Sequence, residues 1–307
     1  VTGGAGFIGS RLTGVLLHQG FETFVLDNLS VGLRERVPRE AFFIEGDLQD
    51  ATLMHRIVKD YGIDAICHLA ARVSIRDSIS NFYEDAKTNV IGTLNLLRAA
   101  LSGSVWKFVF ASSMAVYADS PSPTPINEDA VTAPISPYGI SKLTSEQYIM
   151  NLLSHEGRNW TVLRLFNTYG PGQGFTPYVG VITIFTTKLM RGESPCIFGD
   201  GRQIRDFVYV GDVVHAFLQA LQRSHTGGVF NIGSGIPRSV NDVAEVLKRN
   251  INPTIPIQYG PRQWGEIIHS IADISKARAV LGYAPTARFE EKIDEIIETI
   301  KDSEEAL

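Results

Sequence analysis

This sequence predicts an α/β fold, a doubly wound parallel sheet with a smaller C-terminal α/β lobe for a substrate. Three observations carry that expectation. Apolar runs of strand length alternate with amphipathic helical stretches through the first two-thirds of the chain. A glycine-rich turn, Thr2-Gly3-Gly4-Ala5-Gly6-Phe7-Ile8-Gly9, opens the first helix. After Gly170-Pro171 the loops lengthen and become richer in Gly and Pro. Alternating strand and helix implies parallel strands joined by helical crossovers, with ligands beyond the carboxyl ends of the strands.

Val1 reads as the last residue of a central strand feeding the turn, so about four or five strand residues are expected before it. The turn leads into a helix over 10–19, followed by strands over 23–27 and 41–45 and a helix over 53–61. A strand over 65–69, a helix over 87–101, a strand over 107–112, a helix over 137–155 and a strand over 161–166 complete the alternation. Each strand is short and apolar, and each helix repeats its apolar residues at helical period. Residues 1–169 thus form the nucleotide-binding domain and 170–307 mainly the substrate lobe, with the chain able to weave between them. Helices and short strands intersperse through Arg262-Gln-Trp-Gly-Glu266, and 290–306 reads as an amphipathic, strongly charged helix. No internal repeat is visible.

The bulk properties exclude several classes. With 307 residues, 44% hydrophobic and 20% charged, the chain can bury a large core. A net charge of −5 without a Lys/Arg block argues against nucleic-acid or anionic-membrane partners. Cys67 and Cys196 are far apart and lack metal-ligand spacing, which points to a reducing cytoplasm. No apolar run approaches the roughly 18–20 residues that span a bilayer, and no signal peptide is seen.

Gly3, Gly6 and Gly9, with Phe7 and Ile8 between them, form a turn between strand and helix. Glycine is needed where φ turns positive and where a side chain would block a pyrophosphate. The helix N-terminus then offers unpaired N–H groups and the positive end of a dipole to the phosphates. Asp27 ends the second strand, where a carboxylate accepts hydrogen bonds from adenosine ribose hydroxyls and repels a 2′-phosphate. This selects NAD over NADP. Asp47 and Leu48, after the third strand, read as adenine contacts.

Tyr138 and Lys142 are four apart and share one helical face. Tyrosine is a poor base at neutral pH, so a nearby ammonium and the positive nicotinamide ring are expected to draw its phenol down. Ser113 ends a strand and can hydrogen-bond the reacting hydroxyl. Met114 behind it is neither acid nor base. His68 reads as a strand-end packing residue.

Together these motifs resemble the extended short-chain dehydrogenase/reductase family, and within it the NDP-sugar epimerases similar to UDP-glucose 4-epimerase. Thr2–Ser10, Asp27-Asn28-Leu-Ser30, His68-Leu69-Ala70-Ala71, Asn89-Val-Ile-Gly-Thr93, Tyr138–Lys142, Arg164-Leu-Phe166-Asn167 and Arg205-Asp-Phe-Val-Tyr-Val210 all fit its pattern. The resemblance implies a Rossmann domain with Asn28, Ser30, Leu69, Ala70, Asn89 and Phe166 beside the cofactor. It implies Asn167 and Val181 at the sugar nucleotide, Cys196 and Phe198 at the uracil, and Arg205 and Arg262 clamping the diphosphate. It also implies a homodimer built on the helices over 87–101 and 137–155. This chain departs from many relatives at Gly172, where they carry Arg, and at Ala118, where they carry Gly.

Related dehydratases place an Asp-Glu pair after the strand-end threonine, and Ser113-Met114 replaces it here. What remains is oxidation and re-reduction at one carbon. Tyr138 would take the 4-hydroxyl proton while hydride leaves C4 for NAD, and the 4-keto sugar would turn and receive hydride on its other face. By alignment Ser270 stands beside the sugar 2-substituent, where its small size would admit an acetamido group. The expected substrates are UDP-glucose/UDP-galactose together with UDP-N-acetylglucosamine/UDP-N-acetylgalactosamine. Other NDP-sugar enzymes of this scaffold (uronate epimerase, decarboxylase or reductase) and a non-catalytic NAD sensor stay open as alternatives.

Overall fold

The computed structural model describes residues 1–120, 122–174, 180–223, 227–262 and 267–305. The chain begins with α1 (Phe7–His18), β1 (Phe24–Asp27), β2 (Phe42–Glu45), α2 (Ala51–Asp60), β3 (Ala65–His68), α3 (Ile75–Ser80) and α4 (Phe82–Ala86). It continues through α5 (Gly92–Ser102), β4 (Lys107–Ser113), α6 (Pro137–His155), β5 (Asn159–Leu165) and β6 (Asn167–Tyr169). Then come α7 (Val181–Met190), β7 (Cys196–Phe198), β8 (Ile204–Tyr209), α8 (Val210–Gln222), β9 (Val229–Ile232) and β10 (Pro237–Ser239). The last elements are α9 (Val240–Ile251), β11 (Gln258–Gly260), β12 (His269–Ser270), α10 (Ser275–Leu281) and α11 (Ile293–Glu305).

All pairs in the main sheet are parallel: β1 with β2, β3 with β4, β4 with β5, and β5 with β9. Thr2 bridges Leu26 and His68 and so joins the two halves. Strand β4 is buried on both faces. Phe108 and Phe110 pack with Met54, Leu96, Leu97, Ile149 and Leu153, whereas Val109 and Ala111 pack with Leu12, Leu16, Val213 and Phe217. Period-2 alternation between two apolar layers makes such a strand read as one continuous apolar run.

In the other lobe β8 pairs in parallel with β6 and β12 and antiparallel with β10, while β7 pairs in parallel with β11. Ile182, Phe185, Leu189, Val243, Leu247 and Phe289 form its core.

Several boundaries differ from the sequence reading. The helix expected over 10–19 starts at Phe7, because Gly6 is itself its N-cap. The helix expected over 87–101 begins with α4 and passes through a π turn, Lys87–Ile91, before α5. The helix expected over 290–306 starts as a 3-10 turn, Phe289–Lys292, and Ala306 lies outside the described residues. The strand expected over 161–166 runs instead from Asn159 to Leu165, leaving Phe166 beyond it. Strand β9 was not anticipated: after β6, α7 and β7, the chain returns through α8 to extend the main sheet beside β5.

Candidate active site

Local sequence places the catalytic groups on rigid elements. Ser136 caps α6 by accepting from Gly139 N, and Pro137 occupies the first turn, so Tyr138 and Lys142 sit in the first two turns of that helix. Ser113 is the last residue of β4. Its hydroxyl accepts from Ala115 N at 3.2 Å and stands near enough to Tyr138 to pull its phenol down. Lys142 Nζ donates to Ala111 O at 2.9 Å and stands 6.0 Å from the Tyr138 ring centroid.

The protein by itself does not draw the tyrosine down. Burial pushes the Tyr138 phenol up to about 12, against the pull of Ser113, and the Asp85 carboxylate adds to the rise. Lys142 is pulled down to about 8, again by burial, with Asp85 and Glu146 opposing the fall. One of the three N–H donors of Lys142 goes to the Ala111 carbonyl. A positive charge bound beside Tyr138 would favour its phenolate.

The residues at the head of α1 fit a dinucleotide. Gly6 caps α1 without any side-chain acceptor, and the first turn carries no acidic residue, so its N–H groups face outward for an anion. Gly3 has φ +70, and a Cβ there would stand 2.7 Å from Ala70 N. A Cβ on Gly9 would meet Gly3 O at 2.1 Å, so the turn closes only without side chains. Asp27 accepts from Ala5 N and Leu29 N, each at 2.9 Å, which ties the turn to the end of β1. Each carboxylate oxygen keeps a lone pair for a ribose hydroxyl. Asn28 Nδ2 donates to Asp47 Oδ2 at 2.7 Å, and Ser30 N donates to Asn28 Oδ1, so these three exposed or half-buried groups share one rim.

Other expected cofactor neighbours are placed differently. Leu48 is buried against Gly92, and its carbonyl accepts from Asn95, so its side chain belongs to the core. Phe166 is likewise buried. Asn89 spends its whole amide inside the protein. Its oxygen accepts from Arg72 N at 2.8 Å, and its nitrogen donates to Arg72 O, Asp85 Oδ1 and Ser141 Oγ. It thereby fixes the loop after β3 rather than facing outward. Leu69 N and Ala70 N of that loop both bond Thr2 Oγ1 at 3.2 Å. His68 is clamped between Thr2 Oγ1 at 2.7 Å and Thr93 Oγ1 at 2.9 Å, and burial pulls it down to about 3. It is a neutral packing bracket.

Two groups escaped the sequence reading. Asp85 is buried beneath Asn89 and Ser141, with Oδ2 lacking a hydrogen-bond partner among the described residues. Glu146, one turn beyond Lys142, pairs with Arg164 at 2.7 Å. The spacing Tyr138, Lys142, Glu146 on one helical face was the available signal for the second.

The substrate-side residues occupy the other lobe. A cleft of about 400 Å³ is lined by Phe198, Gln203, Arg262, Ile267 and His269, among others. Arg76 of α3 stands 5.6 Å over the Phe198 ring, bridging the two lobes. Arg205 donates to Ile204 O and Ile268 O at 2.9 and 3.3 Å. Asn167 is on β6, Val181 is the first residue of α7, and Cys196 is half-buried on β7. Neither these three nor Arg205 lines the cleft around Phe198 and Arg262. Ser270 is fully buried on β12, and its hydroxyl has no partner among the described residues. The wall expected there is therefore not exposed surface. Residues 263–266 of the expected Arg262–Glu266 motif lie outside the described residues.

The chain resembles known proteins over nearly its whole length. A family model described as the NAD dependent epimerase/dehydratase family matches residues 1–233. A putative UDP-glucose 4-epimerase of Methanocaldococcus jannaschii is 37% identical over 304 residues, covering 99% of this chain and 98% of that protein. The crystal structure of a Thermotoga maritima UDP-glucose 4-epimerase with UDP-glucose superposes with TM-score 0.95 at 39% identity, covering 98% of both chains. A Methanobrevibacter ruminantium UDP-N-acetylglucosamine 4-epimerase, in complex with UDP-N-acetylmuramic acid, gives TM-score 0.92 at 32% identity, covering 98% of this chain and 97% of that one.

Proposed function

We infer the reaction from one premise: this chain belongs to the NAD dependent epimerase/dehydratase family. It is an NAD-dependent 4-epimerase of UDP-hexoses, acting on UDP-glucose/UDP-galactose and on UDP-N-acetylglucosamine/UDP-N-acetylgalactosamine. The observation that carries this reading is the grouping of Ser113 at the end of β4 with Tyr138 and Lys142 on α6, Lys142 Nζ 6.0 Å from the Tyr138 ring, with no acidic side chain following Ser113. Met114 and Ala115 are buried there, so the acid and base that water loss requires are missing from that position.

Gly3, Gly6, Gly9 and Asp27 would hold NAD, which would supply a reversible hydride acceptor for C4 of the sugar. Tyr138 would remove the proton of the 4-hydroxyl and give one back, and the Ser113 hydroxyl would orient the reacting oxygen. Lys142, anchored on Ala111 O, fixes the helical turn that carries Tyr138. Phe198 and Cys196 would hold the base, Arg205 and Arg262 the diphosphate, and Asn167 and Val181 the sugar nucleotide. The acetylated substrates rest on the likeness to a UDP-N-acetylglucosamine 4-epimerase, since Ser270 is fully buried and offers no open wall.

Incubation with UDP-N-acetylglucosamine and UDP-glucose in separate tubes, followed by the anomeric proton NMR signals, tests the assignment. Both sugars are expected to convert to their 4-epimers. Conversion of UDP-glucose alone would refute the acetylated substrates and keep the chemistry. If neither reacts when NAD is supplied, the epimerase assignment fails.

We also propose a homodimer. Ile91, Ile140 and Tyr148, on the π turn and α6, are 48%, 53% and 44% exposed although apolar or aromatic, which suits pairing with a second copy. Light scattering on the eluting protein should give twice the chain mass, and a chain mass throughout would reject it. Among the described residues no helix is long and apolar enough to cross a membrane. Both cysteines are free thiols, which supports a cytoplasmic setting.

A further inference from the structure

Gly172 stands where the chain departs from its relatives, and the catalytic reading leaves it unused. It lies in the loop after β6 at φ +72, and a Cβ there would stand 3.3 Å from one guanidinium nitrogen of Arg11 and 3.4 Å from the other. Arg11 belongs to α1, the helix whose N-terminus faces the cofactor phosphates. Its Nη1 donates to Phe7 O at 3.2 Å, and its Nη2 donates to Pro171 O. The same loop continues to Gln173, whose nitrogen donates to Thr168 O at 3.4 Å and whose oxygen accepts from Thr183 Oγ1 at 2.9 Å. Thr183 is on α7, two residues after Val181. One series of contacts therefore runs from the cofactor helix through Arg11, Pro171 and Gln173 to the helix that begins beside the sugar-nucleotide site.

Charges at the end of β8 and on the C-terminal helix act on Arg11. Tyr209 Oη donates to Glu295 Oε1 at 2.8 Å, and Lys292 donates to Glu295 Oε2 at 3.2 Å. Burial holds the Arg11 guanidinium below its usual range, Tyr209 and Glu295 act to raise it, and Arg36 acts to lower it. The side chain is thus half-buried where four elements meet.

We propose that Arg11 is a positioning residue for the sugar nucleotide, which clasps the Gly170–Gly174 loop to the cofactor helix, and that Gly172 is the vacancy in which its guanidinium fits. A longer side chain at 172 would press on the Arg11 guanidinium, which would have to shift, and it would also strain the backbone at φ +72. Losing the clasp frees the loop and α7 but leaves β4 and α6, which carry Ser113, Tyr138 and Lys142, untouched. The effect therefore belongs in substrate binding and not in turnover.

The proposal rests on the epimerase reading, and the test separates the two. Wild type, Arg11→Ala, Arg11→Lys, Gly172→Arg and the Arg11→Ala/Gly172→Arg pair are compared for UDP affinity by calorimetry and for KM and kcat with UDP-glucose. Arg11→Ala should weaken UDP binding and raise KM about tenfold, the scale of one charge-assisted hydrogen bond, with kcat within about twofold. Arg11→Lys, which keeps a donor, should recover part of the loss, and it carries the comparison if the alanine variant does not fold. Gly172→Arg should do less harm in the Arg11→Ala background than in the wild type, because the vacated space receives it. Unchanged affinity with only a lower melting temperature, or a pair whose effects simply multiply, overturns the clasp. If wild type binds UDP without epimerising UDP-glucose, the reaction reading falls while the affinities still decide the clasp. A wild type that binds no UDP overturns both.

Discussion

Tyr138→Phe should lower epimerisation by about 10²–10⁴-fold while the protein stays folded. The ring packs in the core around β4 and α8 with 7% exposure, and phenylalanine conserves that packing. Only the phenolic hydroxyl is lost. Burial pushes that phenol up in the protein by itself, and a positive charge bound beside it would act in the opposite direction. The rate is read by proton NMR of the anomeric signals, alongside a thermal melt. A folded variant with wild-type turnover would remove Tyr138 from the chemistry and return the assignment to the other activities of the scaffold.

The second large effect concerns stability. Glu146 is completely buried, and its two oxygens take Arg164 Nε at 3.0 Å and Nη2 at 2.7 Å. The Ser112 hydroxyl also donates to it. Arg164 lies 4.7 Å over the Tyr117 ring and reaches Glu128 O at 3.3 Å. Burial works against the guanidinium charge, but the hydrogen bond and charge of Glu146 more than offset this and hold Arg164 above its usual range. Glu146→Ala leaves that charge buried and unpaired, which should cost about 3–5 kcal/mol in urea unfolding. Replacing both partners by leucine should cost much less, since no charge is then stranded. A single variant within about 0.5 kcal/mol of wild type would show that the pair does not hold α6 to β5.

The positions most legible in the sequence are those whose chemistry is local. Glycines at 3, 6 and 9 mark a turn that closes only without side chains, and that constraint lies within a few neighbouring residues. Tyr138 and Lys142 share a face because a helix repeats every 3.6 residues. Strands such as β4 announced themselves as apolar runs because both faces are covered. Their ends shifted by a residue or two because caps and pleats, rather than composition, terminate them.

What only the tertiary structure decided depends on residues far apart in the chain. Strand β9 joins the main sheet because β5 offers an open edge after a long excursion, and its four residues alone do not say where they pair. Asn89 and Leu48 turn inward because Arg72, Asp85 and Gly92 happen to meet them there. Ser270 is sealed by its strand neighbours, although its small size had suggested an open wall. The direction of the Tyr138 shift followed from burial. Local sequence thus determined the cofactor turn, the acid–base spacing and the parallel α/β order. Desolvation and non-local packing decided which of those groups are exposed, charged or spent on the protein itself, because both depend on what the rest of the chain places around them.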